Sequence, residues 1–113
     1  MSKKIVIVGA LGYLGTELCK LYSGESWFHN IVAIDSKFVS KRVNQLSEWN
    51  IKFYQGHILD KDFLAKHLTD ADIVHHLAGI TDVAYVKKES NPEHDENIKK
   101  IAIEGTNNIL DTI

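Results

Sequence analysis

Cysteine, proline and long apolar runs are all scarce in this chain of 113 residues, and each scarcity excludes something. Cys19 is the single cysteine, so neither an internal disulfide nor a cysteine-rich zinc cluster can form. The one proline and the lack of low-complexity tracts argue against a disordered linker or a repeat protein. The run behind Met1-Ser2-Lys3-Lys4 is broken by glycines, and no stretch approaches the length of a membrane span. A cytoplasmic protein is therefore expected. Charge of one sign is also missing: 13 Lys and Arg against 15 Asp and Glu give a net charge of −2. Lys3-Lys4, Lys87-Lys88 and Lys99-Lys100 are short and scattered, so neither a nucleic acid nor a membrane is expected as a partner.

Six histidines invite a metal reading, but no His/Asp/Glu set has ligand spacing. His75 and His76 are adjacent in an apolar run that reads as a strand, where neighbours point to opposite faces. No metal site is expected. Cys19 falls beside Leu18 and Tyr22 in a helical pattern and reads as a buried, inert thiol.

What is present is a run of β-branched residues ending in glycines, Lys4-Ile5-Val6-Ile7-Val8-Gly9-Ala10-Leu11-Gly12-Tyr13-Leu14-Gly15. A helical pattern follows. In a dinucleotide site the first glycine permits a tight turn, the second lets backbone approach a pyrophosphate, and the third lets the helix pack close on the strand. Gly9, Gly12 and Gly15 fit these roles, with Leu11, Tyr13 and Leu14 as the candidate lining between them. The helix start would turn free N–H groups toward phosphate. A second apolar run, Val32-Ala33-Ile34-Asp35, ends in an acid 20 residues past Gly15, the offset of a carboxylate that binds the adenosine ribose. Ser36 follows it and joins the candidate set. A P-loop is excluded, because no Gly-Lys-Ser/Thr follows Gly9 at the required spacing.

Along the chain, strands are expected near 4–8, 31–35 and 51–55, with a fourth strand and its exit turn over 72–79. Helices are expected near 13–23, 39–48, from Asp60, and near 93–112. The first helix should bury Leu14, Leu18, Leu21 and Tyr22; the second, Val39, Val43 and Leu46. Asp60 reads as an N-cap ahead of Phe63, Leu64, His67 and Leu68, and the last helix presents Ile98, Ile101, Ala102, Gly105 and Ile109 on one stripe. Trp27, Phe28 and Trp49 should cover sheet edges or helix ends. Four strand–helix repeats with right-handed crossovers predict an α/β doubly wound parallel sheet in three αβα layers, strand order 3-2-1-4, with an incomplete second half. A cofactor would lie between strands one and four. Thr81-Asp82, after strand four, would either line that site or cap a following turn.

The glycine spacing, Gly56-His57-Ile58-Leu59-Asp60, His76-Leu77-Ala78-Gly79 and Gly105-Thr106-Asn107-Asn108-Ile109-Leu110 together resemble the extended short-chain dehydrogenase/reductase family, the NAD-dependent epimerase/dehydratase group. The likeness runs from Lys4 to the last residue and implies a Rossmann-like fold. It implies that Gly9, Gly12 and Gly15 bind a pyrophosphate, that Asp35 holds the adenosine ribose, and that Leu77, Ala78 and Gly79 line the cofactor. It implies NAD in preference to NADP, since a carboxylate repels a 2′-phosphate, although Lys37 softens that repulsion. Where this family usually has an aspartate on the adenine amino group, this chain has His57, followed by Ile58. A neutral imidazole can accept that hydrogen bond and a protonated one cannot. Ala102 stands where the family usually has an asparagine, with Asn97 five residues earlier on another face, and the stretch from Pro92 to Gly105 is longer than usual.

Chemistry in the family resembles hydride exchange assisted by a tyrosine with a lysine four residues on. Tyr13, Tyr22, Tyr54 and Tyr85 are followed at that spacing by Glu17, Ser26, Ile58 and Glu89, so no such pair is present; Lys88 stands three residues after Tyr85. Residues 1–113 are thus expected to be the N-terminal dinucleotide-binding part of a longer enzyme acting on a nucleotide sugar or similar hydroxylated substrate. The acid/base pair and substrate lobe would lie elsewhere, and this chain alone would be inactive. The alternative is a non-catalytic dinucleotide-sensing or interaction module. A homo-oligomer is left open.

Overall fold

The computed structural model describes residues 2–78 and 92–113, with side chains of the last helix described from Lys100 onward. Strands and helices alternate as β1 (Lys4–Val8), α1 (Tyr13–Tyr22), β2 (Asn30–Asp35), α2 (Ser40–Glu48), β3 (Lys52–Gln55), α3 (Lys61–Leu68), β4 (Ile73–His76) and α4 (Pro92–Thr112). All strand pairs are parallel, and the order is β3-β2-β1-β4 as the alternation predicts. β1 is central, with Val8 opposite Ile34 on one side and His76 on the other.

Period-two alternation divides the sheet residues between two cores. Ile5, Ile7, Ile31 and Ala33 join Leu11, Cys19, Leu46 and Ile51 under α1 and α2. Val6, Val8, Val32 and Ile34 join Ile58, Leu64, Leu68 and Ile109 under α3 and α4. β1 and β2 are covered on both faces, which is why their sequences are continuously apolar rather than alternating. Helices therefore form the two outer layers of an αβα sandwich.

Three expectations about packing are corrected. α1 does not bury Leu14 and Leu21, which are 63% and 78% exposed. Its inward stripe is Gly15, Leu18, Cys19 and Tyr22, at i, i+3, i+4 and i+7. The physical reason is close approach at one point: the helix meets the β1 turn at Gly15, where no Cβ fits, and that contact turns the Gly15, Leu18, Cys19 and Tyr22 stripe inward. Val39 precedes α2 and is exposed, while Leu46 is buried and Val43 packs against the first core. Trp27 and Phe28 do not cover an edge; both are about three-quarters exposed, held out by a loop whose buried Ser26 hydroxyl reaches the Ser23 and Trp49 carbonyls. Trp49 packs on the first core.

Other local readings hold. The Asp60 carboxylate caps α3 by accepting from the Phe63 N–H at 3.1 Å. Gly105 and Ile109 are buried on α4, with Ile101 and Ala102 half-buried. The Ile98 and Asn97 side chains lie outside the described residues, as do Gly79, Thr81, Asp82, Tyr85 and Lys88. Among the described residues no helix is long and apolar enough to cross a membrane.

Candidate functional site

β1 delivers the chain to a turn at the C-terminal edge of the sheet, where three segments converge. The N–H groups of Gly9 and Ala10 both donate to the Ile34 carbonyl, at 2.8 and 3.1 Å, tying the turn to β2. Gly9 has φ +88°, a conformation L side chains rarely adopt, and a Cβ there would stand 2.6 Å from the Ala78 nitrogen. The turn after β1 and the turn after β4 thus touch backbone to backbone, with the Leu77 N–H donating to the Val8 carbonyl at 2.8 Å.

The other two glycines differ sharply. A Cβ on Gly15 would fall 2.2 Å from the Gly9 carbonyl oxygen and 2.7 Å from the Ala10 Cα, so protein packing alone requires glycine. A Cβ on Gly12 would meet only the Gly9 carbonyl oxygen, at 3.5 Å, an ordinary contact. Gly12 is the exposed N-cap of α1, and no side chain caps that end. Among the described residues the N–H groups of Tyr13, Leu14 and Gly15 have no protein acceptor. The first turn of α1 also carries no acidic side chain. Free amides together with the positive end of a helix dipole can hold an anion. Tyr13 and Leu14 are exposed beside it, whereas the Leu11 side chain is buried in the first core.

Asp35 ends β2 next to this turn. Its Oδ2 accepts from the Leu11 N–H at 2.9 Å and its Oδ1 from the Lys37 N–H at 2.9 Å. The carboxylate therefore holds the glycine-rich turn and its own loop, with lone pairs remaining for a ligand hydroxyl. Ser36 is exposed, and its carbonyl accepts from Gln55 Nε2 at 3.1 Å. Arg42 joins from α2: its guanidinium donates to the Leu11 carbonyl. Sequence reasoning missed it, because a contact across 31 residues between a helix cation and a main-chain oxygen leaves no local signature.

The remaining candidates are distributed unevenly. His57 is exposed, and its Nδ1 accepts from the Leu59 N–H at 3.1 Å, leaving Nε2 free of protein partners among the described residues. Ile58 is 7% exposed and its side chain packs into the second core, close under Gly105. Its carbonyl accepts from Asn108 Nδ2 at 3.0 Å. Leu77 and Ala78 are half-buried against the first and second cores respectively. The structure brings Gly9, Leu11, Gly12, Asp35 and Ala78 together around one turn; Gly79 and Thr81 lie outside the described residues.

The histidines of β4 face opposite sides of the sheet. His75 Nε2 meets the Tyr22 hydroxyl at 2.8 Å on the α1 side. His76 Nε2 meets the Thr106 hydroxyl at 2.9 Å on the α4 side, and its buried Nδ1 has no partner among the described residues. Burial holds the His76 imidazole below its ordinary pKa. Cys19 is fully buried, and desolvation pushes its thiol up to about 12, far from a reactive thiolate.

Residues 6–113 match the family model described as the 3-beta hydroxysteroid dehydrogenase/isomerase family. The chain is 32% identical to dTDP-D-glucose 4,6-dehydratase of Dictyostelium discoideum, over 97% of this chain and 26% of that protein. It is 30% identical to UDP-glucose 4-epimerase of Neisseria meningitidis serogroup B, over 85% of this chain and 30% of that one. Among solved structures, UDP-glucuronic acid 4-epimerase from Bacillus cereus, in complex with UDP-glucuronic acid and NAD, superposes with a TM-score of 0.76 at 26% identity. That match covers 96% of this chain and 35% of the epimerase. The chain thus spans roughly a quarter to a third of the length of the proteins it matches.

Proposed function

The chain belongs to the 3-beta hydroxysteroid dehydrogenase/isomerase family, and from that premise we propose that it binds NAD across the turn between β1 and α1. The observation that carries this reading is Gly12: among the described residues a Cβ there would meet only the Gly9 carbonyl oxygen, at an ordinary contact distance, and the next three amides have no protein acceptor. The pyrophosphate would lie on the amides of Tyr13, Leu14 and Gly15, and the adenosine ribose on Asp35 and Ser36. His57 would meet the adenine, while Leu77, Ala78, Gly79 and Thr81 would line the nicotinamide half. Ile58 would contribute through its position beneath the adenine rather than by direct contact. NAD is favoured over NADP because the Asp35 carboxylate repels a 2′-phosphate.

NAD would supply hydride exchange; the residues here bind and orient it. Residues 1–113 would serve as the dinucleotide-binding part of an epimerase- or dehydratase-type oxidoreductase or isomerase acting on a nucleotide sugar or similar hydroxylated compound. That substrate class is supported by the names of the relatives. A cytoplasmic setting fits the absence of a membrane-crossing helix among the described residues. A second reading, a non-catalytic dinucleotide sensor, is favoured by the lack of any tyrosine with a lysine four residues on. Reading the gene beyond Ile113 separates the two: a Tyr-x-x-x-Lys there supports the enzyme, and its lack supports the sensor.

The first test is calorimetric titration of the chain with NAD and NADP, repeated on Asp35→Ala. Saturable NAD binding, tighter than NADP and weakened about tenfold or more in the variant, is expected for a lost pair of charge-assisted hydrogen bonds. A folded sample that binds neither dinucleotide overturns the proposal.

A further inference from the structure

The Leu11 peptide is gripped from two elements at once. Asp35, at the end of β2, accepts its N–H at 2.9 Å, and Arg42, in the first turn of α2, donates to its carbonyl. Leu11 lies between Gly9 and Gly12, so these bonds fix the peptide planes immediately before the amides of α1. The gripping arms are themselves anchored. Asp35 Oδ1 accepts from Lys37 N–H, and the Arg42 backbone is set by its N–H to the Val39 carbonyl at 3.0 Å. α2 is seated by Leu46 and Val43 against the core that also holds the Leu11 side chain. The turn has Gly at both flanks and would otherwise have several backbone states to choose from.

We propose that Arg42 is a positioning residue of the dinucleotide site, holding the Leu11 carbonyl so that the α1 amides stay aimed at the ligand's phosphates. This rests on the NAD-binding reading above. An arginine suits the task because its planar fork can hold one carbonyl while its other N–H groups remain solvated, and it stays charged at any working pH. Its effect is preorganisation: the ordering of the turn is complete before the ligand arrives and is not subtracted from its affinity. The contribution should then scale with how much of the ligand lies on that turn. NAD and ADP-ribose, which carry the pyrophosphate, should feel the loss of Arg42; adenosine, which lacks it, should not.

The test measures NAD, ADP-ribose and adenosine affinities of the full chain, wild type against Arg42→Met and Arg42→Lys, at low and high salt. Arg42 is exposed, so both variants should stay folded without ligand, with a thermal midpoint within a few degrees of wild type. Arg42→Met is expected to weaken NAD and ADP-ribose about tenfold, with adenosine unchanged. The loss should persist at high salt, which screens a long-range charge effect but not a local hydrogen bond. Arg42→Lys, a point donor without the fork, should fall between. Faster hydrogen exchange of the Leu11 and Gly12 amides, which are bonded to Asp35 and to the Gly9 carbonyl, should accompany the loss in the free Arg42→Met variant, because the turn has been released. Equal NAD affinity in wild type and Arg42→Met, an equal loss for adenosine, or a loss abolished by salt overturns the role of Arg42 and leaves NAD binding standing. Wild type that binds no NAD overturns both.

Discussion

Gly12 and Gly15 are the same residue in the same motif, three positions apart, yet the structure separates their reasons for being glycine. Gly15 is forced by protein packing, since a methyl group would stand 2.2 Å from the Gly9 oxygen and 2.7 Å from the Ala10 Cα, backbone atoms with no flexible side chain to move. A Cβ on Gly12 would meet only the Gly9 carbonyl oxygen among the described residues, at 3.5 Å. Gly15→Ala is therefore expected to lower stability by about 3 kcal/mol, read as a fall in the urea midpoint. Gly12→Ala should cost at most about 1 kcal/mol, the scale of a changed N-cap, while abolishing NAD binding by placing a methyl group where the pyrophosphate approaches. The opposite pattern, with Gly12→Ala unfolding the chain and retaining NAD binding, would refute the assignment. The three-glycine spacing was legible because it is a local pattern; which glycines protein packing requires depended on Ala10 and Ala78 being where they are.

Among the elements, α3 and α1 show how far local chemistry reaches. Asp60 was readable as an N-cap because the interaction closes within three residues: its carboxylate accepts from Phe63 N–H. Asp60→Ala should cost about 1 kcal/mol of unfolding free energy in urea, with NAD affinity unchanged. An unaltered midpoint would mean that water replaces the cap without loss. α1 shows the limit of the same method. Its leucines at 14 and 21 carry the hydropathy signal, but the buried face is set by how closely the helix can approach the β1 turn, and that selects Gly15 and Cys19. The close approach at Gly15, rather than apolarity alone, set which stripe faces the sheet. Asp35 stands between these cases. Its offset from Gly15 marked it as a site residue, yet its bonds to the Leu11 and Lys37 amides, and the opposing grip of Arg42, appear only when β2 and α2 are assembled beside the turn.

For the whole molecule, acid is the condition that reaches every layer. His67 is buried on α3 between the Tyr54 and Phe63 rings, and burial first, then Lys4 and Lys66, lower its pKa from 6.5; Asp70 opposes them. His76 is lowered from 6.5 by burial as well, with Nδ1 unpartnered among the described residues. Both imidazoles are thus neutral in the fold over a range where the unfolded chain is protonated. The unfolded state then binds more protons, so stability is complete above about pH 6.5 and falls as pH drops below it toward the folded-state values. Urea midpoints measured from pH 8 down to pH 5 should decline through that window. His67→Gln and His76→Gln, each less stable at pH 8 through lost packing, should show a shallower decline. An unchanged slope in both variants would assign the acid sensitivity to other groups.

What the sequence determined by itself is whatever short-range rules can carry. Strand–helix alternation and right-handed crossovers specify the order β3-β2-β1-β4. Period two sends Ile7 and Val8 into separate cores and turns His75 and His76 to opposite faces. Glycine spacing marks the turn. Tertiary structure decided what depends on the distance between segments remote in the chain: the contact of Gly9 with Ala78, the hydroxyl partners of the two histidines, the commitment of Ile58 to the core beneath Gly105, and the hold of Arg42 on Leu11. The physical reason is that a hydrogen bond or a steric contact acts over a few ångströms of space, whatever the number of residues between its partners.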